Sequence, residues 1–219
     1  MFNKILKVTL LPLLLIYSVT GIAETVPSEV MGKVKQIQSK WAQLYYSTEF
    51  NNKDYRELQS LAKNANHLAS TFPDSAEALT WDAIVLSTLA EKKGGVGALS
   101  LVREARVKLK AAEKINPTVL NGSIFASLAT LYSKVPGWPL SFGSDKKARY
   151  YFKKALAANP NGLDVNYFYA EYLTDNDQNA KALKHVEKAL DAPALISRPI
   201  ADKGRRQQAE KLREMIINA

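Results

Sequence analysis

Four proline-terminated segments recur along this chain: "NHLASTFP" closes at Pro73, "KAAEKINP" at Pro117, "KKALAANP" at Pro160 and "VEKALDAP" at Pro193. A shift of 44 residues lays the two central units over one another, taking Pro73 to Pro117, Trp81 to Phe125, Ile84 to Leu128, Val85 to Ala129 and Thr88 to Tyr132. A repeat of this length is one piece of supersecondary structure that cannot bury its apolar face alone, so the units must stack on one another. Within each, a large, an apolar, a small and a medium-to-large residue fall at i, i+3, i+4 and i+7, which is one face of a helix.

The stretch before each proline carries a second stripe: Ala105, Leu109 and Ala112; Ala148, Phe152 and Ala155; Ala182, Val186 and Ala189. Small residues seven apart let two helix backbones approach closely. Proline then stops the helix, because it cannot donate and clashes with the preceding turn. Each unit is therefore a helix hairpin, and the units span about 29–73, 74–117, 118–160 and 161–193. The earliest is the least regular: "KDYRELQSLAKNANHLASTFP" reads as its second helix, while Trp41, Leu44, Tyr45 and Thr48 suggest the face of a first helix whose register stays open. After Pro193, Pro199 and Gly204 punctuate an expected loop. A final helix over about 204–218, with Ala209, Leu212 and Ile216 as its apolar stripe, reads as a cap, since the end of a stacked array needs a polar outer face. The expected fold is all-α: one solenoid of three to four hairpins with a C-terminal capping helix.

On these residues the chain resembles the tetratricopeptide-repeat (TPR) family, whose first helix carries a large residue, Leu, Gly or Ala, and Tyr, and whose second carries Ala, an aromatic, Ala and Pro. The best match is residues 164–193, where Ala170, Ala182, Ala189 and Pro193 fall near the family spacing. The chain departs from the family in length. Between the small residue of the first helix and the first Ala of the second, the last unit has 12 positions (170 to 182), but the two before it have 20 (85 to 105) and 19 (129 to 148). The extra residues are expected in the turns, at "KKGGVG" (92–97) and "VPGWPLSFG" (135–143), which would be neighbours on one edge of the array.

Residues 1–23 read as a signal peptide: Lys4 and Lys7 precede the apolar run Leu10 to Ile16, and Gly21 and Ala23 offer a small-residue cleavage site. The run is far shorter than the roughly 20 residues a spanning helix needs. The expected mature chain, residues 24–219, is periplasmic, with no stable membrane span. It contains no cysteine. That excludes disulfides, thiolate chemistry and a lipidated N-terminal Cys. The net charge is +9, two units of which are Lys4 and Lys7, and the remaining basic residues are spread along helices. A nucleic-acid interface would gather them with interleaved aromatics, so none is expected.

The inventory for catalysis is thin. His67 and His185 are far apart and form no ligand pair. "KKGGVGAL" follows a helix and lacks the Lys-Ser/Thr of a phosphate loop, so its glycines more plainly supply positive φ. "FGSDKKA" places Ser144 or Asp145 as a helix cap. "LTDNDQN" lacks the Gly and Glu of a calcium loop and reads as a tight turn. "NGS" at 121–123 is a formal sequon at an expected helix start, expected to stay unmodified. No enzyme, cofactor or metal is expected.

The remaining signal is aromatic. Trp138 and Phe142 in the long turn either fold back as anchors or face a ligand, and anchoring is the commoner use of such residues. Tyr167 and Glu171, at i and i+4, fall where the TPR resemblance implies a peptide-holding inner groove. The leading expectation is a scaffold that binds a protein or peptide. The alternative is a small apolar or transport-related ligand, because "GWPLSFGSDKKARYYFKKAL" and "YFYAEYL" are distantly similar to the periplasmic T component associated with TRAP-type solute transporters. In that case Trp138, Phe142 and Tyr172 would wall a closed apolar pocket. The oligomeric state stays open.

Overall fold

The computed structural model describes residues 28–219; the expected signal peptide lies outside the described residues. Among them run nine α-helices: α1 (Ser28–Tyr45), α2 (Asn52–Thr71), α3 (Ala76–Lys93), α4 (Ala98–Ile115), α5 (Ser123–Lys134), α6 (Asp145–Ala158), α7 (Leu163–Thr174), α8 (Asn179–Leu190) and α9 (Pro199–Ile217). They pack as four successive hairpins, α1/α2, α3/α4, α5/α6 and α7/α8, followed by α9. The fold is an all-α repeat solenoid, and the four proline-terminated units coincide with the four hairpins.

Local chemistry sets the helix ends. Asn51 caps α2 by accepting from the Lys53 and Asp54 amides while the Asp54 carboxylate accepts from the Asn51 amide, three free donors satisfied reciprocally. Ser75 caps α3 through the Ala78 amide, and Ser144 caps α6 through that of Lys147. Pro73, Pro117 and Pro160 each stand one residue beyond the C-caps Phe72, Asn116 and Asn159, where the helix must stop. The small-residue stripes are wholly buried: Ala105, Ala112, Ala148, Ala155, Ala182 and Ala189 expose nothing. They let the second helices press against their partners at close-packed density.

Three expectations need correction. The extra residues of the second hairpin do not lengthen a turn: α3 runs on to Lys93 and α4 starts at Ala98, because "TLAEKK" and "ALSLVREA" are good helix formers, and only Gly94 to Gly97 remain between them. Gly94 and Gly95 do take positive φ there. Only the third hairpin spends its insertion on a loop. Thr48 is exposed beyond the end of α1, so the first helix faces its neighbours through Val30, Val34, Ile37, Trp41 and Leu44. Trp41 donates to Thr88 Oγ1 at 2.8 Å, which ties α1 to α3. Finally, Pro199 and Gly204 are not in a loop. Pro199 takes the first turn of α9, where its missing N–H costs nothing, and Gly204 is buried inside the helix.

Asp82, on α3, is fully buried. Its Oδ2 lies 2.7 Å from the Lys108 Nζ of α4, a contact that falls short of a directed hydrogen bond. Burial pushes its carboxyl above the usual range, and Lys108 only partly offsets this. A raised pKa means that the folded state holds the proton more tightly than the unfolded chain. Stability is therefore highest below the ordinary carboxylate pKa and falls as pH rises through the shifted one. Asp82→Asn removes that loss while Lys108 keeps Glu104 at 3.4 Å. Thermal unfolding of the two proteins across pH 4 to 8 (a range of order that of the carboxylate titration) should show the difference moving in favour of Asp82→Asn as pH rises. A constant difference would mean that Asp82 does not titrate in that window.

Candidate functional site

The α5–α6 loop is held at its neck. Ser144 N donates to Tyr132 O at 2.9 Å, Gly143 N to Pro136 O at 2.9 Å, and Gly137 pairs with Gly143 in an isolated bridge. A Cβ on Gly143 would stand 1.8 Å from Val135 O, so only glycine lets the two strands of the neck meet. From the neighbouring hairpin, Arg103 Nη2 donates to Leu140 O at 2.7 Å. The Arg106 guanidinium lies 4.1 Å from the centroid of the Phe142 ring, which also meets Tyr132 edge to face at 5.6 Å. The long loop is therefore tied to α4, the helix that follows the shorter turn.

Trp138 and Phe142 divide the two roles considered for them. Phe142 is the anchor, partly buried against the core. Trp138 is 90% exposed and anchors nothing. Leu140 is 64% exposed beside it.

Beneath the loop opens a cleft of about 390 Å³, floored by Gly137, Gly143 and Val135 and walled by Tyr132, Ser133, Asp145, Tyr172, Asp175 and Asn176. Tyr172 rises from α7 and donates its hydroxyl to Asp145, which is also paired with Arg149. Burial and that carboxylate push the phenol up to about 12. Lys134 reaches across from α5 to Asp175 at 2.6 Å and to Glu171 at 3.5 Å. The "LTDNDQN" segment is the tight turn expected of it, with Asp177 at φ 58° and the Gln178 amide bonded to Leu173 O. Trp138, Phe142 and Tyr172 do not wall a common pocket: of the three, Tyr172 alone lines this cleft, which is open and mixed polar and apolar.

Tyr167 and Glu171 do not share a site. Tyr167 is buried, and its ring is covered by Arg205 of α9, whose guanidinium carbon is 4.6 Å from its centroid. Arg205 is itself 3% exposed, set among Phe168 at 4.3 Å, Tyr46 at 5.8 Å and Tyr45 at 6.0 Å, with its Nε 2.8 Å from Asp164 Oδ1. The helix expected to cap the array thus bridges α7 and α8 back to α1. It covers the residue that the TPR resemblance assigns to an open groove. Nothing in the stripe pattern signals this; the one cue is the pair Gly204 and Arg205, a helix-weakening residue beside a long cation. Glu171 lies at the cleft edge on Lys134.

His67 is exposed, and His185 is half-buried with its Nδ1 2.8 Å from Asn166 Oδ1. Because Asn166 Nδ2 donates to Pro160 O and Gly162 O, its oxygen must accept, so His185 Nδ1 is the donor. The pair secures the α6–α7 turn. No protein-family model and no curated protein matches the chain.

Proposed function

We propose that the chain is an exported, non-enzymatic scaffold of the tetratricopeptide-repeat type that holds a protein or peptide partner in the periplasm. The reading rests on the cleft beneath the 135–143 loop. It is the place on the turn edge where side-chain-free backbone at Gly137 and Gly143, the Tyr132 and Tyr172 rings and the carboxylates of Asp145 and Asp175 meet in one open concavity. Such a lining suits a peptide segment: main chain against glycine, an apolar side chain against tyrosine, and a basic side chain on Asp175, whose side chain stays 49% exposed beside Lys134. Tyr167, which the resemblance assigns to an inner groove, is covered by α9, which favours the edge. A small apolar solute would need an enclosed chamber, and the openness of the cleft favours the peptide instead.

A photo-crosslinker at Ser133, on the cleft wall, should capture a discrete protein from a periplasmic extract. One at Lys63, on the exposed side of α2, should not. Asp175→Lys, which reverses the charge of one wall, should weaken association with that protein by about tenfold or more, read by titration calorimetry. Recovery of nothing above the Lys63 control, with the protein folded, would sink the proposal.

A further inference from the structure

The cleft leaves the tip of the same loop unused. Trp138 and Leu140 project from it, and on the α3–α4 turn Val96 is 84% exposed. Four cations lie on the helices α4 and α6 that flank the loop. Arg103 holds Leu140 O, Arg106 lies on Phe142, Lys147 stands 5.2 Å from the centroid of the Tyr132 ring, and Lys146 precedes it in the first turn of α6. Among the described residues none of the four is in an ion pair, and Arg103, Lys146 and Lys147 are exposed. The nearby carboxylates are spent internally: Glu104 and Asp82 on Lys108, Asp145 on Arg149 and the Tyr172 hydroxyl, Glu91 on Lys92.

We propose that this edge rests on an anionic lipid bilayer, with Trp138 and Leu140 at the headgroup boundary and Arg103, Lys146 and Lys147 over lipid phosphates. Two features favour a lipid surface over a protein. The exposed apolar groups are few and sit on two different turns, whereas a stable protein interface needs about 800 Å² of fitted surface on each side. A fluid bilayer accepts isolated tips without a complementary shape, and tryptophan beside lysine and arginine is the composition that settles at its boundary. The loop is also ordered beforehand by Arg103, Phe142 and its glycine neck, so docking need not order it. No helix among the described residues is long and apolar enough to cross a membrane, so the contact is peripheral. A partner seated in the cleft would lie beside the bilayer, but the lipid contact does not depend on that partner.

Trp138 supplies its own probe, because Trp41 and Trp81 are buried and their emission reports the core. Vesicles of equal parts phosphatidylglycerol and phosphatidylcholine should shift the emission of the full mature chain to the blue and bring it down on sedimentation. Pure phosphatidylcholine should do neither. Trp138→Ala/Leu140→Ala should cut sedimentation by about tenfold or more, and Lys146→Gln/Lys147→Gln by roughly tenfold, with the residual binding less sensitive to salt. All four side chains are exposed, so unchanged far-UV circular dichroism is expected, and the wild-type emission shift stands alone should a variant misfold. No shift on anionic vesicles at low salt overturns the proposal, as does equal binding of the tip variant or of neutral vesicles. A protein crosslinked through position 138 while vesicles leave the emission unmoved would assign the tip to a protein partner instead.

Discussion

Arg205→Ala should lower the unfolding free energy by about 3–5 kcal/mol, the cost expected for breaking a buried charge pair by removing one partner. The side chain is 3% exposed and makes three kinds of contact at once: an ion pair to Asp164, a hydrogen bond to Gln208 Oε1 at 2.7 Å, and the aromatic cage of Tyr45, Tyr46, Tyr167 and Phe168. Asp164 is about a third exposed and keeps Arg198 at 3.6 Å, so the carboxylate left behind is partly relieved. That places the expected loss toward the lower end. The cage then matters more than the pair. Arg205→Lys keeps the charge but not the flat fork that lies on the rings, and should recover less than half of the loss. Urea unfolding followed by circular dichroism and by Trp41 and Trp81 fluorescence reads both ends of the clasp. A loss under about 1 kcal/mol would show that α9 does not hold the first and last hairpins together.

Gly204→Ala should destabilise by about 1–3 kcal/mol, although helix propensity alone predicts a gain of about 1 kcal/mol for alanine inside a helix. A Cβ there would stand 2.2 Å from Tyr46 Cδ1 and 2.3 Å from its Cγ. Tyr46 has little room to yield, since its ring meets Trp41 at 5.8 Å and Tyr45 at 4.9 Å and borders the Arg205 guanidinium. Burial already drives its phenol well above the usual range. Overlap therefore outweighs propensity. In a Tyr46→Ala background the obstruction is gone, and Gly204→Ala should become neutral or stabilising, a coupling that a double-mutant cycle measures directly. Additive effects would mean that the close approach of α9 to α1 is not what selects glycine.

Much of the fold was legible because its physics is local and repeated. The stripes of Ala105/Ala112, Ala148/Ala155 and Ala182/Ala189, the prolines one residue past the caps and the Ser144 cap all depend on neighbours within a few residues or on a strict helical period. The site was less legible. Position 138 was recognisable as special, but a tryptophan between two prolines is compatible with an anchor and with an exposed tip. The choice fell to Phe142, because Arg106 and Tyr132 from two different helices happen to meet there. Tyr167 was placed correctly on α7 and misassigned in surroundings, since α9 arrives from more than thirty residues away and no pattern within α7 announces it (about 38 residues separate Tyr167 from Arg205, far beyond the reach of helical periodicity).

The amino-acid sequence by itself determined the helix-hairpin repeat and the proline stops that close its units, because apolar periodicity, caps and proline stops act over one or two helical turns. Only the tertiary structure decided which aromatic of the long loop is buried, and that α9 returns to α1 with Arg205 in a cage drawn from the first and last hairpins. Those outcomes turn on contacts between segments distant in sequence. Their energies come from packing and desolvation, which no local pattern records.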